Sequence, residues 1–375
     1  MGCPNGDPPA SALPPEDERP VSISTRLFRL HRRMISDDPA VVPMLARELL
    51  WPPAAIYWLV ARLRNALYDR GVWHPRRAAV PVISVGNITA GGTGKTPIVA
   101  WLARLLSRRG MHPAILSRGY GADRATGIDD ENRLLAAMAG GAPVVVDPDR
   151  LRGAAHAVRV HGADVLILDD GFQHRRIARD LDIVLIDALR PFGADWMLPR
   201  GLLREPLAGL NRTDFVIVTR ADLVDAARLE NTRESLPRVP VACCEWKIAG
   251  MRRLGSDEVQ PPETIRRGRW SAFCGVGNPE GFRATLEQAR CRLGAFAFFA
   301  DHHAYTARDV EDMLVEARVA GCDGVLTTEK DAVKIEPLLK AAPSPPIFAL
   351  RTELEFTDGC AALTAAILRA VGKEP

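Results

Sequence analysis

Short apolar runs alternate with helix-length amphipathic stretches from about residue 79 towards the C-terminus. In the first block the apolar runs are Val80–Val85, Ala114–Leu116, Val144–Val146, Val165–Leu168, Ile183–Ile186 and Phe215–Val218. Thr96–Arg109 and Leu151–His161 lie between such runs and have the character of helices. Nearly continuous apolar strands separated by helices are typical of a parallel sheet that is covered on both faces. The pattern therefore predicts an α/β fold.

A second alternating block follows Gly250–Arg267, a stretch rich in charge and proline that predicts a loop. The strands predicted after this loop are Ser271–Cys274, Ala295–Phe299, Gly324–Thr327 and Pro346–Ala349. We therefore expect a domain boundary near residue 248. Residues 79–248 would form the larger parallel-sheet core, and residues 249–375 a smaller C-terminal α/β domain.

The region before the first strand has two parts. Residues 1–24 are rich in proline and lack an apolar core, so they predict a disordered tail rather than a signal peptide. Residues 25–78 predict a helical segment, in which Leu49–Ala61 is uncharged, apolar and aromatic-rich. This run is shorter than the roughly 20 residues that a membrane-spanning helix needs. It fits either a helix in the membrane interface, with Trp51, Tyr57 and Trp58 as anchors, or a core helix.

Composition narrows the function classes only slightly. The 375 residues include 49 basic and 46 acidic side chains, giving a formal charge of +3. This balance does not favour nucleic-acid binding through bulk charge, and no obligate protein partner is inferred. The seven cysteines are scattered and contain no CxxC pair, which predicts a reduced, cytosolic compartment.

The strongest chemical signal is residues 82–97, VISVGNITAGGTGKTP, in which an apolar strand leads through a glycine-rich loop into a helix. Glycines let backbone N–H groups surround phosphate oxygens, and the helix N-terminus adds partial positive charge. Lys95 would reach the β- and γ-phosphates, and the Thr96 hydroxyl would bind Mg²⁺. Thr89 stands where the usual GxxxxGK[ST] motif has glycine. The predicted ATP-binding residues are Gly91, Gly92, Thr93, Gly94, Lys95 and Thr96.

A second candidate site follows another apolar strand, in the sequence Val165–Gly171, VLILDDG. Asp169 and Asp170 would lie at the carboxyl end of that strand, where α/β sheets bind ligands. A carboxylate at this position is suited to hold the Mg²⁺ that bridges the nucleotide phosphates. The alternative is a strand-terminating turn with solvated aspartates. The upstream P-loop favours metal binding.

Seven segments of the chain resemble motifs of the lipid A 4′-kinases (tetraacyldisaccharide 4′-kinases) of Gram-negative bacteria, and they occur in the family's order. They are Gly86–Pro97, Leu116–Gly121, Asp169–His174, Leu198–Pro206, Gly275–Pro279, Asp301–His303 and Thr327–Asp331. The resemblance implies transfer of the γ-phosphate of ATP to the 4′-hydroxyl of a tetraacyl disaccharide 1-phosphate, giving lipid IVA, with Mg²⁺ required.

The resemblance also implies a location and an architecture. The enzyme would rest peripherally on the cytoplasmic face of the bacterial inner membrane, because the acyl chains of its lipid substrate stay in the bilayer. This favours the interfacial interpretation of Leu49–Ala61. The family fold implies two α/β domains with the active site in the cleft between them.

The metal-site residues implied by the resemblance are Thr96, Asp169 and Asp170, with Gln173 in the same loop and Glu205 matching the acid of the family's Leu-Arg-Glu-Pro motif.

The resemblance implies a catalytic aspartate and a partner histidine in addition to Lys95. The family's Gly-Asp-Glu-Pro segment corresponds best to residues 129–132, DDEN, which makes Asp130 the predicted base and leaves Asp129 as the alternative. His302 corresponds to the family histidine within Phe299–Tyr305, where Ala300 replaces proline.

Two other functions remain as alternatives. A regulatory or metal-insertion GTPase would share the P-loop, and Thr219–Asp222 resembles a guanine-reading motif. The DxxG motif of a GTPase, however, would need aspartate where Leu168 stands. A membrane-tethered binding module would explain the apolar segment but would leave Asp130 and His302 without a role.

Overall fold

The computed structural model describes residues 48–119, 130–301, 303–339 and 342–374, with residues 130, 131 and 194 described by their backbone only. The strands are β1 (Val82–Asn87), β2 (Pro113–Ser117), β3 (Val144–Val146), β4 (Val165–Asp169), β5 (Leu181–Asp187), β6 (Phe215–Thr219), β7 (Val241–Arg253), β8 (Val259–Gln260), β9 (Arg269–Cys274), β10 (Arg292–Phe298), β11 (Gly324–Thr328) and β12 (Ile347–Asp358). The helices are α1 (Trp51–Asp69), α2 (Lys95–Arg108), α3 (Asp130–Met138), α4 (Arg150–His161), α5 (Ala226–Glu234), α6 (Pro279–Gln288), α7 (Ala307–Val319), α8 (Glu329–Ile335) and α9 (Cys360–Ala370).

The strands form one twelve-stranded sheet in the order β10-β9-β11-β12-β7-β6-β5-β1-β4-β2-β3, with β8 added against β7. Pairing is parallel except for β7 with β12 and β7 with β8. The predicted α/β class with a parallel-dominated sheet is therefore confirmed. Strands β1 and β5 are buried along their whole length, as strands covered on both faces should be.

Helices cover both faces of the sheet around β1. On one face, Ile98 and Leu102 of α2 and Ile367 of α9 belong to the same buried apolar cluster as Ile83. On the opposite face, Ala54 of α1 belongs to the cluster that includes the side chains of alternate β5 residues. Because successive strand residues point to opposite faces, each strand contributes to both apolar layers.

The sequence-based expectation of a loop from Gly250 onward is wrong for its first residues, because β7 continues to Arg253 and β8 follows. Strand β7 pairs antiparallel with β12 along nearly its whole length, so that the first half of β7 lies against the second half of β12. Half-buried positions alternate with exposed ones from Trp246 to Ala249 and from Arg351 to Thr357. Such a ribbon has no continuous apolar run, so its charged residues resemble those of a loop. The domain boundary predicted near residue 248 falls within β7, and the two-domain division remains a prediction.

Helix α1 has two unlike faces. Its buried positions include Ala54, Ala61 and Asn65. The exposed apolar side chains on one stripe are Ile56, Leu59, Val60 and Leu63, together with Leu49, two residues before the helix. Among the residues that the structure describes, no helix has the length and apolarity needed to cross a membrane.

Candidate active site

A cavity of about 500 Å³ lies where the loops after β1 and β4 meet loops from the second half of the chain. Lys95 and Asp170 line it from the first half, and Gly277 and Lys330 line it from the second. The carboxyl ends of parallel strands meet at this edge of the sheet, which is the usual ligand-binding edge of an α/β fold.

The P-loop, residues 91–96, has a backbone shape that requires glycine. Gly94 caps the N-terminus of α2 with φ of 84°, a left-handed conformation that side chains rarely adopt. A Cβ atom at Gly94 would also overlap the indole ring of Trp246. The loop therefore leads its backbone into the N-terminus of α2, where N–H groups favour anions. Lys95 is the first residue of that helix.

A second glycine loop, from the motif Gly275–Pro279, packs directly on the P-loop. A Cβ atom at Gly277 would lie 2.5 Å from the backbone nitrogen of Gly92, so only glycine permits this approach. Asn278 caps α6 by accepting from the Gly281 N–H group at 2.9 Å, and its amide donates to Asp187 at 2.5 Å. The two halves of the chain are thus in contact at the P-loop.

Arg220, the residue that follows β6, fixes the same junction. Its guanidinium donates to the Gly92 carbonyl at 3.1 Å and pairs with Asp187 at 2.6 Å. The hydroxyl of the preceding Thr219 donates to the Thr93 carbonyl at 3.1 Å. The segment that resembled a guanine-reading motif therefore holds the P-loop backbone, and these contacts do not favour the GTPase alternative.

Asp170 is the acidic centre of the cavity. Its backbone has φ of 55°, in the left-handed region that is uncommon outside glycine, asparagine and aspartate. Both carboxylate oxygens accept from Nη1 of Arg204, at 2.7 and 2.9 Å, and Nζ of Lys95 lies 3.3 Å away. Burial raises the pKa of Asp170, but the charges of Lys95 and Arg204 outweigh it and hold that pKa well below its usual value. Asp170 is therefore ionised.

Lys95 completes this group, which we call the Asp170 cluster (Asp170, Lys95 and Arg204). Its ammonium donates to the Asn87 side-chain oxygen at 3.1 Å, in addition to the ion pair with Asp170. Asp169, the last residue of β4, lies opposite Val85 of β1 and also lines the cavity. The predicted P-loop lysine and the two predicted aspartates are thus at one place.

Gln173 and Glu205 lie together in a second group that also includes Asn65 and Arg212, which we call the Glu205 cluster. Glu205 is fully buried, and its two carboxylate oxygens accept from Arg212 at 2.7 and 2.8 Å. Gln173 donates to one of these oxygens at 3.0 Å and Asn65 to the other at 2.8 Å. In this arrangement Glu205 is an internal anchor, and metal binding by Gln173 and Glu205 stays a prediction.

The residues present fit a Mg²⁺–nucleotide complex. Within the described ranges, no group of three or more His, Cys, Asp or Glu side chains could hold a metal by itself. Mg²⁺ is commonly held by one or two carboxylates together with substrate phosphates, and Thr96, Asp169 and Asp170 line the cavity beside the P-loop. The hydroxyl oxygen of Thr93 is buried without a hydrogen-bond partner among the described residues, as expected of a loop shaped for a ligand.

The predicted catalytic pair can be located only through its neighbours. His302 and the alternative base Asp129 lie outside the described residues, and Asp130 is described as the backbone that begins α3. Asn132, two residues after Asp130, lines the cavity. Asp301, the residue before His302, lines the same cavity and accepts from Lys330 at 2.9 Å.

Several contacts at this site were not found by sequence reasoning. Arg204, Arg220 and Trp246 all line the cavity. Arg204 and Arg220 lie within motifs named above, but neither residue was assigned a role, and Trp246 lies in no motif. Arg204 directly precedes Glu205 in a motif that had been quoted for its acid alone. Trp246 lies in β7, which the apolar pattern did not predict as a strand, so nothing in the sequence indicated its contact with Gly94.

Comparisons with known proteins agree on one family. A family model described as tetraacyldisaccharide-1-P 4′-kinase matches residues 46–371. A tetraacyldisaccharide 4′-kinase of Anaeromyxobacter sp. (strain K) is 39% identical over 362 residues, covering 90% of this chain and 94% of the relative. A tetraacyldisaccharide 4′-kinase of Chlorobaculum parvum is 38% identical over 340 residues, covering 86% and 90% respectively.

A solved structure gives the same result for the fold. The "apo" form of LpxK from Aquifex aeolicus in complex with ATP superposes with a TM-score of 0.65 at 29% identity. The match covers 87% of this chain and 99% of the Aquifex chain. The similarity therefore extends over both halves of the sheet and the cavity between their loops.

Proposed function

The chain belongs to the tetraacyldisaccharide 4′-kinase family, and we propose that it transfers the γ-phosphate of ATP to the 4′-hydroxyl of a tetraacyl disaccharide 1-phosphate. The product would be lipid IVA, an intermediate of lipid A biosynthesis. The observation that carries the proposal is the Asp170 cluster beside the P-loop, in one cavity shared by both halves of the chain.

The roles of the residues follow from their positions. The P-loop amides, the N-terminus of α2 and Lys95 would hold the β- and γ-phosphates. Thr96 with Asp169 and Asp170 would hold Mg²⁺, whose charge neutralises phosphate oxygens during transfer. In the present arrangement Nη1 of Arg204 donates to Asp170. A phosphate that enters the cavity would compete with the Asp170 carboxylate for the charge of the guanidinium.

The transfer itself needs an acceptor for one proton. As the bond from the 4′-oxygen to the γ-phosphorus forms, the bond from that phosphorus to the β,γ-bridging oxygen breaks and ADP leaves. The hydroxyl proton passes to Asp130, which His302 would orient, with Asp129 as the alternative base. The support for this pair is that Asn132 and Asp301, their near neighbours, line the same cavity.

The deciding experiment is incubation of the full chain with ATP, Mg²⁺ and a monophosphorylated, acylated glucosamine disaccharide, with the product identified by mass. We expect one added phosphate on the non-reducing sugar, with ADP formed in equal amount. Parallel reactions with GTP, and with ATP but no lipid, are the controls. Preference for GTP with acceptor-independent hydrolysis would support the GTPase alternative, and binding without turnover would support the binding module.

We further propose that α1 places the enzyme peripherally on the cytoplasmic face of the inner membrane. The support is the exposed stripe of Ile56, Leu59, Val60 and Leu63, next to arginines such as Arg62, whose guanidinium lies 5.0 Å from the Trp58 ring centroid. Apolar side chains beside basic ones favour the headgroup boundary of an anionic bilayer.

The stripe gives a sharper test than the aromatic residues, because Tyr57 donates to the Arg204 carbonyl and lies next to the active site. Changing Ile56, Leu59 and Leu63 together to Ser should release the chain from vesicles of phosphatidylglycerol and phosphatidylethanolamine and raise KM for the lipid. The matched control changes Val160 and Val319, exposed on α4 and α7, to Ser. Equal vesicle binding by the two variants would refute the interfacial role.

A further inference from the structure

The polar face of α1 contacts the active site directly. The Tyr57 hydroxyl donates to the backbone carbonyl of Arg204 at 3.1 Å, and the Asn65 amide donates to the Glu205 carboxylate at 2.8 Å. These two helix residues therefore hold consecutive residues of one loop. Arg175 adds a third contact by pairing with Asp69 at 2.7 Å and donating to the Asn65 carbonyl at 3.3 Å.

Asn65 is unusual for an interfacial helix because it is buried and fully engaged. Only 9% of its surface is exposed, and its partner Glu205 has none. A buried carboxylate needs all its lone pairs satisfied, and here every donor to Glu205 is a side chain of another segment. Asn65 supplies the donor that comes from α1.

A chain of hydrogen bonds continues from Glu205 to the P-loop lysine. Gln173 donates both to Glu205, at 3.0 Å, and to the backbone carbonyl of Asn87, at 2.8 Å. The side-chain oxygen of Asn87 accepts from Lys95 at 3.1 Å. The same dipeptide that α1 holds also presents Arg204 to Asp170. Both cations of the Asp170 cluster are thus linked to α1 within a few contacts.

We propose that Asn65 is a positioning residue through which helix α1 fixes Lys95 and Arg204 in the phosphate site. The proposal rests on the proposed function. Helix α1 then has two separable tasks, since its apolar stripe docks on lipid while its polar face organises the phosphate-binding cations. Turnover depends on the polar face even when the substrate is dispersed in detergent and no membrane is present.

The experiment replaces Asn65 in the full chain and measures steady-state kinetics with detergent-dispersed lipid acceptor. Asn65→Leu keeps the number and branching of the side-chain heavy atoms and removes the donor, while the Arg212 pair stays in place to preserve the fold. We expect kcat to fall roughly tenfold, with KM for the lipid little changed, because one hydrogen bond to a buried charge is lost. Tyr57→Phe, which loses only a hydroxyl, should show a smaller fall in kcat.

The control for simple destabilisation is Thr232→Val. Thr232 is buried in α5 and donates within its own helix to the Arg228 carbonyl at 2.9 Å, away from the cavity. It should lose stability in urea but keep wild-type kcat. Vesicle binding should be unchanged in Asn65→Leu and lost in the stripe variant. The double variant Asn65→Leu/Gln173→Leu should lose less than the product of the two single effects, because both act through Glu205.

Wild-type kcat in folded Asn65→Leu would overturn the proposal. An equal loss of kcat in Thr232→Val, at the same free energy of unfolding as Asn65→Leu, would also overturn it. If the wild type fails to phosphorylate the acylated disaccharide, the proposed function fails, and hydrogen exchange at residues 87–96 then decides the coupling. Faster exchange there in Asn65→Leu than in Thr232→Val supports it, and equal exchange refutes it.

Discussion

Two carboxylates lie on either side of Arg204, and the chain treats them differently. Asp170 faces the cavity with 22% of its side chain exposed, and its partners are the cations Lys95 and Arg204. Glu205 is fully buried, and besides Arg212 its partners are the neutral amides of Asn65 and Gln173. Burial raises the pKa of each, and the basic partners outweigh it in both, so both pKa values lie below their usual range.

The difference lies in which contacts can be exchanged. A phosphate entering the cavity can reach Lys95 and Arg204 and take over charge that Asp170 now satisfies, which leaves Asp170 able to turn to Mg²⁺. Glu205 cannot change partners without leaving its own fully buried carboxylate short of hydrogen-bond donors, and that loss costs more than an ordinary hydrogen bond. We therefore assign binding and chemistry to the Asp170 cluster and positioning to the Glu205 cluster.

The largest effect that would test this division is expected at Lys95. Lys95→Ala removes the ammonium that offsets charge developing on the transferred phosphate, so nearly all phosphoryl transfer should be lost. The fold should persist, because Asp170 keeps Arg204. The measurement is kcat together with urea unfolding, and Lys373→Ala, at an exposed position near the C-terminus, is the control. Wild-type turnover in folded Lys95→Ala would refute the P-loop assignment.

The proposed proton acceptor gives the next largest effect. Asp130→Ala should lower kcat by roughly two to four orders of magnitude with ATP binding retained, since it removes a general base but no phosphate contact. His302→Ala should lower kcat less, and the double variant should cost less than the two effects combined, because paired residues act as a unit. Strict additivity of the two effects on kcat would show that Asp130 and His302 act independently. A fully active Asp130→Ala would move the base to Asp129.

The two carboxylates themselves should respond in opposite ways. Glu205→Gln removes the buried charge that pairs with Arg212, which keeps only the Gly209 and Phe172 carbonyls among the described residues, and should lower the free energy of unfolding by about 3 kcal/mol. Asp170→Asn should lower it less, because the Asp170 side chain is 22% exposed whereas that of Glu205 is fully buried, but it should raise the Mg²⁺ concentration needed for half-maximal rate. Thr96→Ala and Asp169→Asn should also raise this Mg²⁺ requirement. Urea unfolding and Mg²⁺ titration separate the outcomes, and the reverse pattern would exchange the two roles.

The sequence predicted the parts of this site that have a local signature. The strand before Gly91, the helix after Thr96 and the aspartates after β4 follow from apolar periodicity and loop composition, and the structure brings them together. Motif spacing could not distinguish Asp170 from Glu205 as metal ligands. The difference depends on which residues, distant in the sequence, donate hydrogen bonds to each carboxylate. Asn65 lies 140 positions from Glu205, and no periodicity or motif encodes such a contact.

The antiparallel ribbon of β7 and β12 was missed for a related reason. Glu353 lies opposite Lys247, and Leu354 lies opposite Trp246. Each charged or apolar side chain of one strand therefore has its partner on a strand about a hundred residues away in the sequence. Within one strand alone, Glu245-Trp-Lys-Ile alternates charge with bulk and gives no continuous apolar run. The contact of Trp246 with Gly94 thus depends on a pairing that only the folded chain shows.

The smallest expected effect concerns His174, at the end of the loop that joins the two clusters. Burial, and then the positive charges of Arg150 and neighbouring arginines, lower the pKa of His174 to about 4. The unfolded chain binds this proton near pH 6.5, so between pH 6.5 and about 4 the unfolded state carries more charge than the folded one. The contribution of His174 to stability is therefore fully present above pH 6.5 and declines as the pH falls towards 4.

The lowered pKa values of Asp170 and Glu205 place their loss of stability below the range from pH 6.5 to 5. Burial raises the pKa values of Asp182, Glu329 and Asp331, so the contribution of His174 is measured as the difference between the wild type and a His174 variant. Urea unfolding across this range should show a shallow decline for the wild type and a flatter profile for His174→Gln. His156→Gln, at an exposed position on α4, should keep the wild-type slope. An unchanged slope in His174→Gln would mean that burial and the neighbouring arginines do not exclude a proton from His174 in the folded state.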